Sequence, residues 1–220
     1  MKSYNQDKIF LHIEGDKYFD RNGPQENSFI LDAIKLLNPL PHHNIFEIGC
    51  GSGATLKKLK SKYNSNVSGI DTSKQAIEFA KKKFKLKDVK ADTFLNFKSK
   101  KKFDIIIDGG FLYVTPDNLI KKTLRKIFKI MKSNSYFIFW DYDTPYNYTN
   151  DWKYNKKVKS YKRDYLKLIN ALDKRLYLLL KKQFVLKTKE EVKNYTNKLD
   201  FDKIMTVMIF KKISLNSKKK

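Results

Sequence analysis

With 220 residues, 41% hydrophobic and 32% charged, the chain is long enough for one domain with its own core and too apolar to be disordered. Its longest apolar runs, such as Leu176–Leu180, fall far short of the ~18 residues that span a membrane; a lone cysteine, Cys50, excludes an internal disulfide framework. The net charge of +24 admits nucleic acid as a partner without favouring it, because only four of the 47 basic residues are arginines and the lysines spread over most expected helix surfaces.

Residues 1–23 are polar and aromatic with no sustained period, and read as a flap or short helix (a flap over 1–24). They hold no apolar stretch of signal-peptide length, so the expected location is the cytoplasm. Gln25–Leu37 places Phe29, Ile30, Ala33, Ile34 and Leu37 on one helical face, opened by Pro24 and closed before Pro39 and Pro41. His42 and His43 follow in a turn with no further ligands near them, so no metal is expected. Asn44–Leu59 then reads as strand, glycine turn and helix: Ile45, Phe46 and Ile48 with one acid, Glu47, then Gly49, Gly51 and Gly53, then Leu56 and Leu59 at helical spacing.

The second strand, Val67–Ile70, ends in Asp71, and Thr72 or Ser73 caps a helix facing Ala76, Ile77, Ala80 and Phe84 inward. Val89–Ala91 is a short third strand before Asp92. Phe103–Ile107 is a doubly buried fourth, ending in Asp108-Gly109-Gly110. Thr115-Pro116-Asp117 opens a helix with Ile120, Leu124, Ile127, Phe128 and Met131 inward, and Ser133-Asn134 turns into a fifth strand, Tyr136–Trp140, ending in Asp141. Asp143–Asn155 reads as a long loop, Tyr161–Leu172 as a helix, and Arg175–Leu186 and Lys203–Lys212 as two final strands paired antiparallel at one sheet edge. The tail, 214–220, is expected to be disordered.

GCGSGA satisfies the dinucleotide pattern, yet that reading places a pyrophosphate beside Glu47 with no Lys or Arg before Lys57 to offset it. S-adenosylmethionine has no phosphate, and its amino group and sulfonium are both positive. Five strands each carry or precede an acid at their C-terminal end, Glu47, Asp71, Asp92, Asp108 and Asp141, where open α/β sheets bind ligands. A basic chain with acids along that rim points to a cationic nucleoside.

The E-x-G-x-G-x-G spacing resembles motif I of the class I S-adenosylmethionine-dependent methyltransferases, and the likeness runs from about Gln25 to Ile213. The resemblance implies a Rossmann-like, doubly wound, seven-stranded α/β sheet, mostly parallel with an antiparallel last strand, in one methyltransferase domain over 25–213. It assigns the methionine moiety to Glu47 and the backbone of Gly49, Cys50, Gly51 and Gly53, and the ribose to Asp71, with Thr72 beside it. Asp92 and Thr93 would meet the adenine amino group, and Asp108 and Gly109 the methionine amine and the transferred methyl.

GDKYFDRN, FLYVTPDNL, FWDYDTPYNY and SYKRDY are together similar to methylases associated with pseudaminic acid and related surface-sugar biosynthesis. That likeness implies a small-molecule acceptor, a sugar or nucleotide sugar, methylated on a hydroxyl or amine. Asp141 and Asp143 are the candidates for a base or substrate-orienting group, with Tyr113 at the same centre. Tyr18, Phe19, Tyr146 and Tyr148 are expected to line the acceptor pocket, and Lys162 with Arg163 to meet an acidic sugar or a phosphate. RNA, DNA or protein methylation is the alternative, though the N-P-P-[YF] signature of amino-methylating DNA enzymes is missing after strand four. A non-catalytic cofactor-binding module is the second alternative.

Overall fold

The computed structural model describes residues 6–186, 188–192 and 201–214. In chain order the elements are α1 (Gln6–Ile9), a π-helical turn (Phe10–Glu14), α2 (Gly15–Asn22), α3 (Ser28–Leu37), β1 (Asn44–Ile48), α4 (Ala54–Tyr63), β2 (Asn66–Asp71), α5 (Lys74–Phe84), β3 (Val89–Ala91) and β4 (Phe103–Asp108). A 3-10 turn (Leu112–Val114), α6 (Asp117–Ile130), β5 (Met131–Asp141), β6 (Tyr148–Trp152), β7 (Asn155–Lys162), α7 (Tyr165–Leu172), β8 (Leu176–Val185), a second 3-10 turn (Phe201–Lys203) and β9 (Ile204–Lys212) complete it.

Seven strands form one sheet in the order β3-β2-β1-β4-β5-β9-β8. The first five run parallel, and β9 runs antiparallel to both β5 and β8. This is the expected seven-stranded α/β sheet, with the antiparallel strand, last in the chain, one place in from the edge. The order reverses between β1 and β4, which opens a crevice above their carboxyl ends.

The period of two along β4 divides the core into two layers. Ile106 joins Phe137 and Phe139 against Leu124, Ile127 and Phe128 of α6 and Ile169 of α7, while Ile105, Ile107 and Ile138 pack on Ile30, Ala33 and Ile34 of α3. Each such fully buried side chain contributes about 1.5–3 kcal/mol relative to exposure. No helix among the described residues is long and apolar enough to cross a membrane.

Several local expectations are revised. Residues 6–22 are helical almost throughout, and the first five residues of the expected flap lie outside the described residues, as does 215–220 of the expected tail. Pro24 does not open α3. The helix starts at Ser28, where the Asn27 side chain accepts the Ile30 N–H at 3.2 Å and supplies the cap that proline lacks. Ser73, not Thr72, caps α5, accepting the Ala76 N–H at 3.0 Å. The Thr115 hydroxyl donates back to the Phe111 carbonyl and does not cap α6, which begins after Pro116. β5 extends back to Met131, with Asn134 at φ +58° and an irregular register against β4 absorbing the expected turn.

The largest revision falls between Asp143 and Leu172. The expected long loop holds a two-stranded antiparallel hairpin, β6–β7, and Tyr161 and Lys162 belong to its second strand. Val158, Ser160 and Lys162 are buried at alternate positions, a period of two that the tyrosine at 161, four before Tyr165, masks in the sequence. The helix starts at Tyr165, because the Asp164 side chain accepts the Lys167 N–H at 2.9 Å.

Candidate functional site

Two confluent clefts lie over the carboxyl ends of β1, β2 and β4. The first, about 930 Å³ of empty space counting the part open to solvent, is lined by Asp71, Thr72, Asp92, Thr93, Phe94, Gly109 and Phe111, with Asp7, Phe10 and Tyr18 from the N-terminal helices. The second is lined by Glu47, Gly49, Cys50 and Gly51, and by Phe19, Asn27, Phe29, Trp140 and Tyr142. Tyr18, Gly49, Asp71, Gly109 and Tyr113 line both, so they stand where the two meet.

The glycine turn is built for close approach. Gly49, Gly51 and Gly53 have φ of +74°, +51° and +72°, a conformation that costs other residues about 1–2 kcal/mol each. The Asp71 carboxylate ties this turn to the next strand, accepting the Gly51 N–H and the Ser73 N–H, each at 2.8 Å. Burial pushes the Asp71 pKa up, and these N–H groups and that of Thr72 pull it back. Of the roughly four acceptor positions of a carboxylate, one is left for a ligand.

Glu47 is 4% exposed, and its Oε2 has no hydrogen-bond partner among the described residues. Burial, reinforced by the charge of Asp71, pushes its pKa up to about 8. A buried carboxylate oxygen without a partner is expensive unless something completes it. The residues therefore fit a ligand that brings a cation to the glycine turn. Cys50 contributes backbone only: its side chain packs with Leu56, Ile77 and Ala80, and its Sγ lies 2.8 Å from where a Cβ on Gly69 would stand.

The five rim acids do not all face the ligand. Glu47, Asp71 and Asp92 line the clefts, whereas Asp108 and Asp141 are fully buried beneath them. Asp108 accepts the Phe111 N–H at 3.1 Å, and burial and the charge of Asp141 hold its pKa well up. Gly109, its neighbour, is the one that reaches both clefts. Asp141 accepts the N–H of Tyr142 at 2.7 Å and of Tyr113 at 2.8 Å; burial lifts its pKa to about 7 against those bonds and the charges of Lys162 and Arg163. It therefore sets the backbone of two cleft tyrosines without lining either cleft.

Asp143 also lines neither cleft. Its carboxylate accepts the Leu166 N–H at 3.1 Å and pairs with Lys181 at 2.6 Å. Tyr146 is 57% exposed on a separate depression with Lys121 and Arg125, and the Tyr148 hydroxyl donates to Asp202 at 3.1 Å. Lys162 is buried with its ammonium over the Tyr142 ring, and burial lowers its pKa to about 8. Arg163 is consumed by Asp117, Tyr165 and the carbonyls of Leu112 and Thr115. Tyr18 and Tyr113 line both clefts, and Phe19 lines the second.

The residues missed are Asp7, Phe10, Phe94, Phe111, Trp140 and Tyr142. Phe111 and Tyr142 directly follow the rim motifs DGG and WD and were findable from them. Asp7 and Phe10 come from the segment without a period, and nothing in the sequence marked them.

A family model described as a methyltransferase domain matches residues 40–203. A ubiquinone biosynthesis O-methyltransferase of Pelagibacter ubique (strain HTCC1062) is 38% identical over 100 residues, which is 44% of this chain and 40% of the relative's length. The chain thus spans well under half of that relative. Among solved structures, N-methyltransferase NodS of Bradyrhizobium japonicum WM9, in complex with S-adenosyl-L-homocysteine, superposes with a TM-score of 0.61 at 18% identity, covering 97% of this chain and 100% of NodS. The 1,6-didemethyltoxoflavin-N1-methyltransferase of Burkholderia thailandensis gives a TM-score of 0.67 at 13% identity, covering 94% of this chain and 85% of that one. At those identities the structures speak for the fold alone. The family match, over most of the chain and including the glycine turn, decides the affiliation: this chain belongs to the methyltransferase domain family.

Proposed function

We propose that this chain is an S-adenosylmethionine-dependent methyltransferase acting on a hydroxyl or amine of a small molecule held in the second cleft. The observation that carries the reading is Glu47, a buried acid with an oxygen unpartnered among the described residues, at a glycine turn with no Lys or Arg between Glu47 and Lys57. A cationic amine draws the proton from Glu47 and pairs with the resulting carboxylate, a compensation that a phosphate-bearing dinucleotide does not offer.

S-adenosylmethionine, when bound, supplies an electrophilic methyl on a sulfonium that is already an activated leaving group. The chain's share is to align the acceptor in a pocket shielded from water. Glu47 would hold the donor's ammonium, Asp71 its ribose, and Asp92 with Thr93 its adenine. Tyr113 stands at the junction of the clefts, where burial keeps its hydroxyl protonated and able to orient an acceptor. Asp141 is a positioning residue acting through the N–H groups of Tyr113 and Tyr142.

The acceptor walls combine Phe19, Phe29 and Trp140, with Phe29 and Trp140 stacked at 4.5 Å, and the polar Asn22, Glu26 and Asn27. Flat apolar area beside carboxylate and amide groups suits a sugar or nucleotide sugar, the class to which the surface-sugar likeness points. O- and N-methylation are both represented among the similar proteins. Calorimetry with S-adenosylhomocysteine and with NAD tests the donor: binding of the first alone is expected, and tight NAD binding overturns the reading. Labelled donor offered to separated nucleotide sugars, glycans, RNA and protein then identifies the acceptor by the fraction that takes up label.

A further inference from the structure

The polar residues on the inner face of the N-terminal helices are committed to holding them down, with one exception. The Gln6 side-chain amide donates to the carbonyls of Val114 at 2.7 Å and Lys159 at 2.8 Å, and accepts the Lys159 N–H at 3.0 Å. Glu14 receives bonds from Arg21 at 3.3 Å and Asn155 at 2.9 Å, and Asp16 receives bonds from the Ser73 hydroxyl at 2.7 Å and the Gln75 N–H at 3.0 Å. Asp7 lines the first cleft and makes no hydrogen bond or ion pair among the described residues, in a chain with 47 basic side chains. Burial raises its pKa, and no cation among the described residues opposes it. A second unsatisfied group lines the same cleft: the Thr123 hydroxyl, 1% exposed, has no partner.

Resting on the methyltransferase reading, we infer that Asp7 is a second adenine-reading carboxylate, accepting one N–H of the exocyclic amine from the helical side while Asp92 takes the other from the sheet. The amine has two hydrogens to place. On Asp92, Oδ1 already accepts the Thr93 N–H at 2.7 Å and the Asn96 side-chain amide at 3.1 Å, which leaves Oδ2 for a single ligand hydrogen. Phe94 and Phe111, edge to face at 5.9 Å, give this cleft the aromatic walls a purine needs, and Phe10 closes it from the same helical segment as Asp7. The Thr123 hydroxyl supplies a further donor or acceptor for the ring nitrogens.

The test compares S-adenosylhomocysteine with its 6-deaminated, hypoxanthine-bearing analogue by calorimetry on the full chain. Wild type should favour the adenine form, since a carboxylate facing the hypoxanthine carbonyl is repelled. Asp7→Asn offers N–H donors to that carbonyl and should shrink the preference about tenfold, leaving the melting temperature of the ligand-free protein nearly unchanged; Lys8→Ala, an exposed neighbour, should change nothing. An unaltered preference in Asp7→Asn overturns the inference while leaving the donor assignment standing. Failure of wild type to bind S-adenosylhomocysteine at all overturns both. Equal loss of both ligands in Asp7→Asn, as a helix-start role for the acid would give, also overturns it.

Discussion

Replacing Glu47 with glutamine should strengthen the ligand-free fold at neutral and alkaline pH while weakening its hold on the methyl donor. The folded-state pKa stands raised from 4.5 to about 8, mainly by burial, so the folded protein keeps a proton that the unfolded chain has already released. Stability therefore falls as pH climbs from 4.5 to about 8, and is independent of this group outside that window. At about 1.4 kcal/mol per pH unit the whole loss is on the order of 5 kcal/mol, and roughly 3 kcal/mol of it is present at pH 7. Glutamine has no proton to lose. Other buried groups also titrate here, Asp141 among them, so the useful quantity is the difference between the two proteins. Urea unfolding at pH 5.5, 6.5, 7.5 and 8.5 should show the Glu47→Gln advantage widening by about 1 kcal/mol or more per unit up to pH 8, then levelling. A gap that stays constant with pH would refute the reasoning, because it would mean that Glu47 is ionised in the folded protein throughout. The same proton predicts that donor binding at pH 7 releases close to one proton, seen as a buffer-dependent enthalpy that Glu47→Gln lacks.

Asp71→Ala removes the carboxylate that joins the glycine turn to β2 and faces both clefts. It should weaken S-adenosylhomocysteine binding in calorimetry by about 1–3 kcal/mol, and unchanged affinity would place the ribose elsewhere. Asp141→Asn leaves one of the Tyr113 and Tyr142 N–H groups facing an amide donor. Turnover should fall much more than donor affinity, with about 1–3 kcal/mol lost from unfolding stability, and a loss of donor affinity alone would remove Asp141 from acceptor positioning.

The cleft-lining residues proposed to hold the donor were legible because they are local in sequence. Glu47, the three glycines and Asp71 sit on one strand–turn–helix unit and the strand after it, and periodicity alone places them at one edge. The acceptor half was not, because it is assembled from segments far apart in the chain. Trp140, Tyr142 and Phe29 meet only through the sheet order, and the hairpin that carries Trp152 and Lys162 reads as a loop when taken one residue at a time. Carboxylates near the rim were over-read for the same reason. Asp108, Asp141 and Asp143 share the composition of ligand-facing acids, but none lines a cleft: Asp141 accepts two turn N–H groups, Asp143 a helix N–H and Lys181, and Asp108, with one oxygen on the Phe111 N–H and the other unpartnered among the described residues, is fully buried, a distinction that only three-dimensional contacts reveal. At the N-terminus helices of mixed polar and aromatic residues lack a single apolar stripe because their inner face is divided between a cleft and a small apolar cluster of Ile9 with Trp152 and Val158.

Gln6 bonds at once to the turn after β4 and to both the N–H and the carbonyl of Lys159 in the hairpin. Uncovering the cleft is for that reason a concerted event, in which three bonds on two separate parts of the chain must break together. Exchange of spent for fresh cofactor inherits that barrier, and a rate of turnover that tracks Gln6→Ala more closely than acceptor chemistry would be its signature.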